Sequence, residues 1–201
     1  MKKNEDLNQK NLKGISKAIA IISKILEVCM IIGASACLVA TIAIPFILKN
    51  IKVGETDISY GKIKIAEISK DTLLDNGIDE SKFTYIKDFI TGNRVFELCA
   101  YTFICVVALV GLAFFFHYLY KLFKNISKED TPFTEENVNL ITKLLIALIG
   151  YIALPTILAW IAEIIGNIDI NYSWGLKDIM LLLVIFASRH IFAYGCSLEK
   201  K

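Results

Sequence analysis

Few residues in this chain have the types and spacing that chemistry needs. The only histidines are His117 and His190, and Cys29, Cys37, Cys99, Cys105 and Cys196 form no C-x-x-C pair. A metal site needs clustered His or Cys, so no metal ligands are assigned. An odd number of cysteines in or beside apolar runs reads as small buried side chains rather than a disulfide framework. No G-x-S-x-G, H-E-x-x-H or P-loop pattern occurs. No nucleophile can be matched with a base, so the chain is read as a non-enzyme without catalytic or cofactor-binding residues.

The ionisable groups that remain stand at the ends of apolar runs. Glu27, His117, Arg189 and His190 fall near one boundary, and Glu97, Glu163 and Asp178 near the other. The middle of each run is uncharged. Ion-coupled carriers place ionisable groups within the span, so a coupled transporter is disfavoured, while a pore lined by hydroxyls or backbone stays open. Glu27 and Arg189 carry opposite charge at one depth and are the candidate inner-boundary ion pair, which offsets the cost of a lone charge if their helices are neighbours. The alternative is that Arg189 reaches lipid phosphates and Glu27 faces water.

The elements that position these groups follow from the charge pattern. Of 201 residues, 55% are hydrophobic and 21% charged. No charge lies between Glu27 and Lys49, Glu97 and Lys121, or Lys143 and Glu163, gaps of 21, 23 and 19 residues. A spanning helix needs roughly 20 apolar residues at about 1.5 Å each. A fourth run, from Trp174 to Gly195, is interrupted by Lys177 and Asp178 near its start and Arg189 near its end. Trp174 and Tyr194 suit the two interfaces. The expected fold is all-α, an integral membrane bundle of four transmembrane helices with a small extracytoplasmic cap. A net charge of +2 provides no basic field for direct nucleic-acid binding. The first apolar run is too long, and its charged leader too extended, for a cleaved secretory signal.

Basic residues orient the spans. Lys2, Lys3, Lys10, Lys13, Lys17 and Lys24, then Lys121, Lys124, Lys128 and Lys143, then Arg189, Lys200 and Lys201 share one side. The positive-inside rule makes that side cytoplasmic. Both termini are therefore expected inside. The segments are a basic amphipathic helix over 1–24, spans over 25–48, 96–120, 144–163 and 174–195, outer connections over 49–95 and 164–173, a cytoplasmic connection over 121–143, and a tail over 196–201.

Three of these segments have readable local structure. In the first, Leu12, Ile15, Ile19, Ile22 and Leu26 recur at helical steps opposite a lysine stripe. This predicts either an interfacial helix on anionic lipid or a basic flank that only fixes topology. In the outer loop, Ile58, Tyr60, Ile63 and Ile65 around Gly61 predict a β-hairpin, and Phe83, Ile86, Phe89 and Ile90 have helical spacing. In the cytoplasmic connection, Thr134 is a good N-cap, with Glu135 and Glu136 in the first turn where the helix dipole favours them. Phe133 is placed to staple onto Val138.

Within the spans, Pro155 removes the donor to the Tyr151 carbonyl and should kink its helix, with Thr156 placed to satisfy the freed group. Gly33 with Cys37, Ala36 with Ala40, and Gly150 with Ala153 provide small faces for close helix contact.

The segment Asp130-Thr131-Pro132-Phe133-Thr134-Glu135-Glu136-Asn137-Val138 and the closing Ile191-Phe192-Ala193-Tyr194-Gly195-Cys196-Ser197-Leu198-Glu199 resemble the "domain of unknown function 2975" family of bacterial membrane proteins. The resemblance covers about residues 20–199, most specifically through P-F-T-E-E-N-V. It implies four spans in a bacterial cell membrane and no known catalytic residues. Family members are often encoded beside a Cro/CI-type helix-turn-helix regulator. Twenty Lys against two Arg, with 33 Ile, suit an AT-rich Gram-positive source.

The expected function is regulatory: a membrane protein that binds or sequesters a cytoplasmic partner such as a small helix-turn-helix regulator. Pro132, Phe133, Thr134, Glu135 and Glu136 are the candidate contact. The alternatives are a small transporter, an export or peptide-immunity component, and a structural membrane subunit.

Overall fold

The computed structural model describes residues 2–53, 57–60, 63–67, 95–129, 131–166, 170 and 175–199. Four long helices carry the fold: α1 (Lys2–Asn50), α2 (Val95–Ile126), α3 (Glu135–Gly166) and α4 (Leu176–Glu199). All four are long and apolar enough to cross a membrane. The chain is a multi-pass membrane protein of the all-α class. Among the described residues, strands occur only between α1 and α2.

α1 differs from expectation. It runs unbroken through 49 residues, about 73 Å at 1.5 Å per residue, against a hydrocarbon core of roughly 30 Å. The basic N-terminal segment and the first span belong to one continuous helix. Nothing in the sequence stops it: no proline and only one glycine, Gly14, precede Gly33.

The chain divides into two compact units. The first comprises Met1–Ser35, Cys105–Leu158 and Asn171–Lys201 and is itself a four-helix bundle. Its core joins Leu122 and Ile126 of α2, Leu140, Ile141, Leu144, Leu148 and Ile152 of α3, and Ile185 of α4. α3 supplies most of it, as a helix apolar on every side should. α1 presents a different face. Its buried residues are Ser16, Ala20, Ser23, Glu27 and Ala34, a stripe at helical spacing that is small or polar. Of the larger residues, Leu12, Ile15 and Ile22 are exposed, while Ile19 and Leu26 are half-buried beside the stripe. Small side chains along this stripe let α1 approach its neighbours closely.

Two glycines show the same logic. A β-carbon at Gly33 would touch Leu109 Cδ1 at 3.5 Å, as a small contact face requires. At Gly111 it would lie 2.9 Å from Tyr151 Cα, so α2 rests directly on the α3 backbone there. Gly150 faces no other helix this closely; the nearest atom is Leu154 Cδ1 at 4.0 Å in its own helix. Pro155 is buried within a continuous α3, and Thr156 donates to the Ile152 carbonyl at 2.8 Å. That is the ordinary back-bond of a membrane threonine, not a replacement donor for Tyr151.

The second unit comprises Ala36–Ile104 and Ala159–Ile170. Pro45 lies inside α1 and deprives the Thr41 carbonyl of its helical donor. Cys99 Sγ approaches that oxygen at 3.8 Å, and the thiol is a weak donor. Beside it the Thr41 hydroxyl meets the Thr102 hydroxyl at 2.9 Å. The repair comes from a neighbouring helix, as is common in membranes.

The connection between α1 and α2 contains a three-stranded antiparallel sheet in the order β1 (Ile51–Val53), β2 (Asp57–Tyr60), β3 (Ile63–Glu67). β2 and β3 are the hairpin expected from the period-two pattern, pairing Tyr60 with Ile63 and Asp57 with Glu67. β1 adds Ile51 against Tyr60. The helix expected around Phe83 to Ile90 lies outside the described residues.

Candidate functional site

The segment between α2 and α3 is built as a latch. α2 ends at Ile126, and the Glu129 N–H still donates to the Asn125 carbonyl at 3.1 Å. α3 opens at Glu135, as expected, with Thr134 as its cap: Thr134 Oγ1 accepts the Asn137 N–H at 3.3 Å. Asn137 is fully buried, and its side-chain amide donates to the Pro132 carbonyl at 3.0 Å and to Glu129 Oε2 at 3.2 Å. The Thr134 hydroxyl donates to the same Glu129 oxygen at 3.2 Å. One carboxylate therefore gathers the cap and the buried amide. The Asn137 carbonyl oxygen is buried with no hydrogen-bond partner among the described residues.

The latch closes on α4. The Thr131 hydroxyl bonds the Glu199 carboxylate and accepts the Phe133 N–H at 3.2 Å. The Phe133 ring packs edge-on against Phe192, centroids 5.4 Å apart at 62°, and lies over Gly195. α4 is a partner for Phe133 that a local staple onto Val138 did not foresee. The two segments that carry the family resemblance are thus in contact with each other. The five candidate contact residues divide accordingly. Pro132, Phe133 and Thr134 are half-buried in the latch, while Glu135 and Glu136 are exposed on the first turn of α3.

The second candidate feature is corrected by the geometry. Glu27 and Arg189 do not form an ion pair. Glu27 is 6% exposed, and its carboxylate meets His117 Nδ1 at 3.1 Å and Lys24 Nζ at 2.9 Å. Arg189 Nε donates instead to Thr142 Oγ1 at 2.9 Å, and that hydroxyl is itself back-bonded to the Val138 carbonyl. Helix neighbours decide the pairing: the buried stripe of α1 turns Glu27 toward α2, while α4 turns Arg189 toward α3. His190 packs edge-on against Phe186, ring centroids 4.6 Å apart at 70°.

His117 is the residue that sequence reasoning missed as a partner. It and Glu27 fall at one depth, which was the available signal, but its position among Phe114, Phe115, Phe116, Tyr118 and Tyr120 reads equally as an interfacial aromatic belt. A carboxylate–imidazole pair orients a proton, yet no nucleophile is hydrogen-bonded to it among the described residues. Lys24 supplies the cation on one oxygen of the buried Glu27 carboxylate, and the His117 ring hydrogen-bonds the other, joining α1 to α2. No cluster of three or more metal-ligating side chains occurs among the described residues.

Comparison with known proteins finds no matching family, no matching characterised protein and no matching solved structure. The family resemblance rests on the two quoted segments alone.

Proposed function

We propose that this chain is a non-enzymatic membrane protein that holds a cytoplasmic partner at the α2–α3 connection, with both termini in the cytoplasm. One observation carries the reading. Glu135 and Glu136 are exposed on a helix start that is tied to α4 through Phe133, Thr131 and Glu199. A fixed acidic pair suits a basic partner better than a mobile one, because less side-chain ordering opposes binding. The DNA-contacting face of a small helix-turn-helix regulator is such a surface, and holding it there would compete with DNA. The resemblance to the "domain of unknown function 2975" family supports the same partner.

The test is affinity capture of the tagged protein from gently solubilised membranes. Glu135→Lys combined with Glu136→Lys should release the captured regulator while the variant stays in the membrane. If capture is unchanged, the acidic turn is not the contact. If no soluble protein is captured, the regulatory reading fails.

A further inference from the structure

We propose that a groove between α2 and α3 binds one acyl chain of an anionic glycerophospholipid, with the phosphate held by Lys143. The groove has a volume of about 530 Å³, within the roughly 300–1,000 Å³ of small-molecule sites. Along α2 it runs from Val106 to Tyr118, and along α3 from Leu154 to Lys143. Twelve helical steps on α2 and eleven on α3, at about 1.5 Å each, give a length of about 17 Å. One leaflet of a bilayer is about 15 Å deep, so the groove has the length of a single leaflet.

Its chemistry is graded along that length. The walls are apolar up to Tyr118 and Lys143, which stand together at one end. Lys143 is exposed and no carboxylate pairs with it among the described residues. Arg189, anchored on the adjacent Thr142, marks the same depth as a headgroup boundary, where a basic side chain can reach phosphate.

The groove exists because two glycines have different surroundings. Gly111 lets α2 touch the α3 backbone at Tyr151, whereas Gly150 leaves space on the groove side. Phe114 and Leu154 line it while remaining exposed, so it opens sideways toward lipid rather than into the core. A single apolar slot with a cation at its headgroup end fits a phospholipid better than an apolar helix of a second copy, which would leave Lys143 unpaired. The proposal requires only that α2 and α3 cross a membrane, and it stands apart from the cytoplasmic partner.

Native mass spectrometry of the purified full chain, offered equal amounts of phosphatidylglycerol and phosphatidylcholine, tests it. The wild type should retain one phosphatidylglycerol with about fivefold preference over phosphatidylcholine. Lys143→Gln should reduce the preference to near unity. Gly150→Phe should fill the groove and abolish retention of both lipids, with helix content unchanged. If Gly150→Phe does not fold, Val110→Phe blocks the slot from the other wall and carries the same expectation. Equal retention of the two lipids by the wild type, or undiminished retention in the folded groove-filling variant, overturns the proposal. A wild-type dimer that Gly150→Phe converts to monomer also overturns it and puts a second copy in the groove.

Discussion

The ring of Phe133 stands where a β-carbon at position 195 would have to be: that carbon would lie 2.6 Å from the ring Cγ. Glycine in a helix interior costs about 1 kcal/mol relative to alanine, and Gly195 lies within α4, near its C-terminal end. Its missing side chain is the seat for Phe133.

The seat predicts a reversal of sign. Gly195→Ala should destabilise the wild type by about 1–3 kcal/mol, because the ring must leave its site. On a Phe133→Ala background the same change should stabilise by about 0.5–1 kcal/mol, the helix-propensity gain alone. Thermal unfolding in detergent of the four proteins measures this. An equal loss in both backgrounds would show that the ring is not what position 195 accommodates.

Much of this arrangement is legible in the sequence, and the rest fails for identifiable reasons. The four apolar runs, the cap at Thr134 and the alternation of Ile58, Tyr60, Ile63 and Ile65 report local physics, and local structure follows them. Which face of a helix is buried does not follow. The larger Leu12, Ile15 and Ile22 would mark the core side of α1 by size alone, whereas the buried side is Ser16, Ala20, Ser23 and Glu27, whose small or polar side chains let the helices approach closely. Phe133 fails differently. Its neighbours Phe192 and Gly195 are some sixty residues away, and no spacing rule connects them.

Asn137 should be the least replaceable polar residue of the latch. Asn137→Ala leaves the Pro132 carbonyl and one bond to Glu129 unmade, an expected loss of about 1–3 kcal/mol. Asn137→Asp should cost more at neutral pH, since it brings a second carboxylate against Glu129, now 3.2 Å from the amide nitrogen. Thermal unfolding ranks the pair, and protease cleavage within 127–134 should rise in the same order. An aspartate variant as stable as wild type would show that Glu129 does not hold this side chain.

The lysine distribution predicts topology. Reporter fusions at residue 75 should be active outside, and fusions at residues 128 and 201 in the cytoplasm. A cytoplasmic signal at residue 75 would invert every connection and move the latch to the outer face, where no cytoplasmic regulator could reach it.

Glu27 now has two candidate couplings with opposite expectations. Its carboxylate contacts His117 at 3.1 Å, whereas Arg189 is bound to Thr142. Groups in contact lose stability non-additively when both are removed, and groups without shared partners lose it additively. Glu27→Gln and His117→Gln should each destabilise, because each leaves a polar group at a helix contact without its charged or imidazole partner. Their double variant should lose less than the sum, by about 1 kcal/mol. Glu27→Gln with Arg189→Gln should instead add within about 0.5 kcal/mol. Lys24 complicates only the single variants, since its bond to Glu27 is lost equally in both cycles. Unfolding of both sets in one detergent decides between them. Coupling to Arg189 with none to His117 would mean that α1 packs with a different face toward α2, and the buried stripe through Ser16, Ser23 and Glu27 would have to be redrawn.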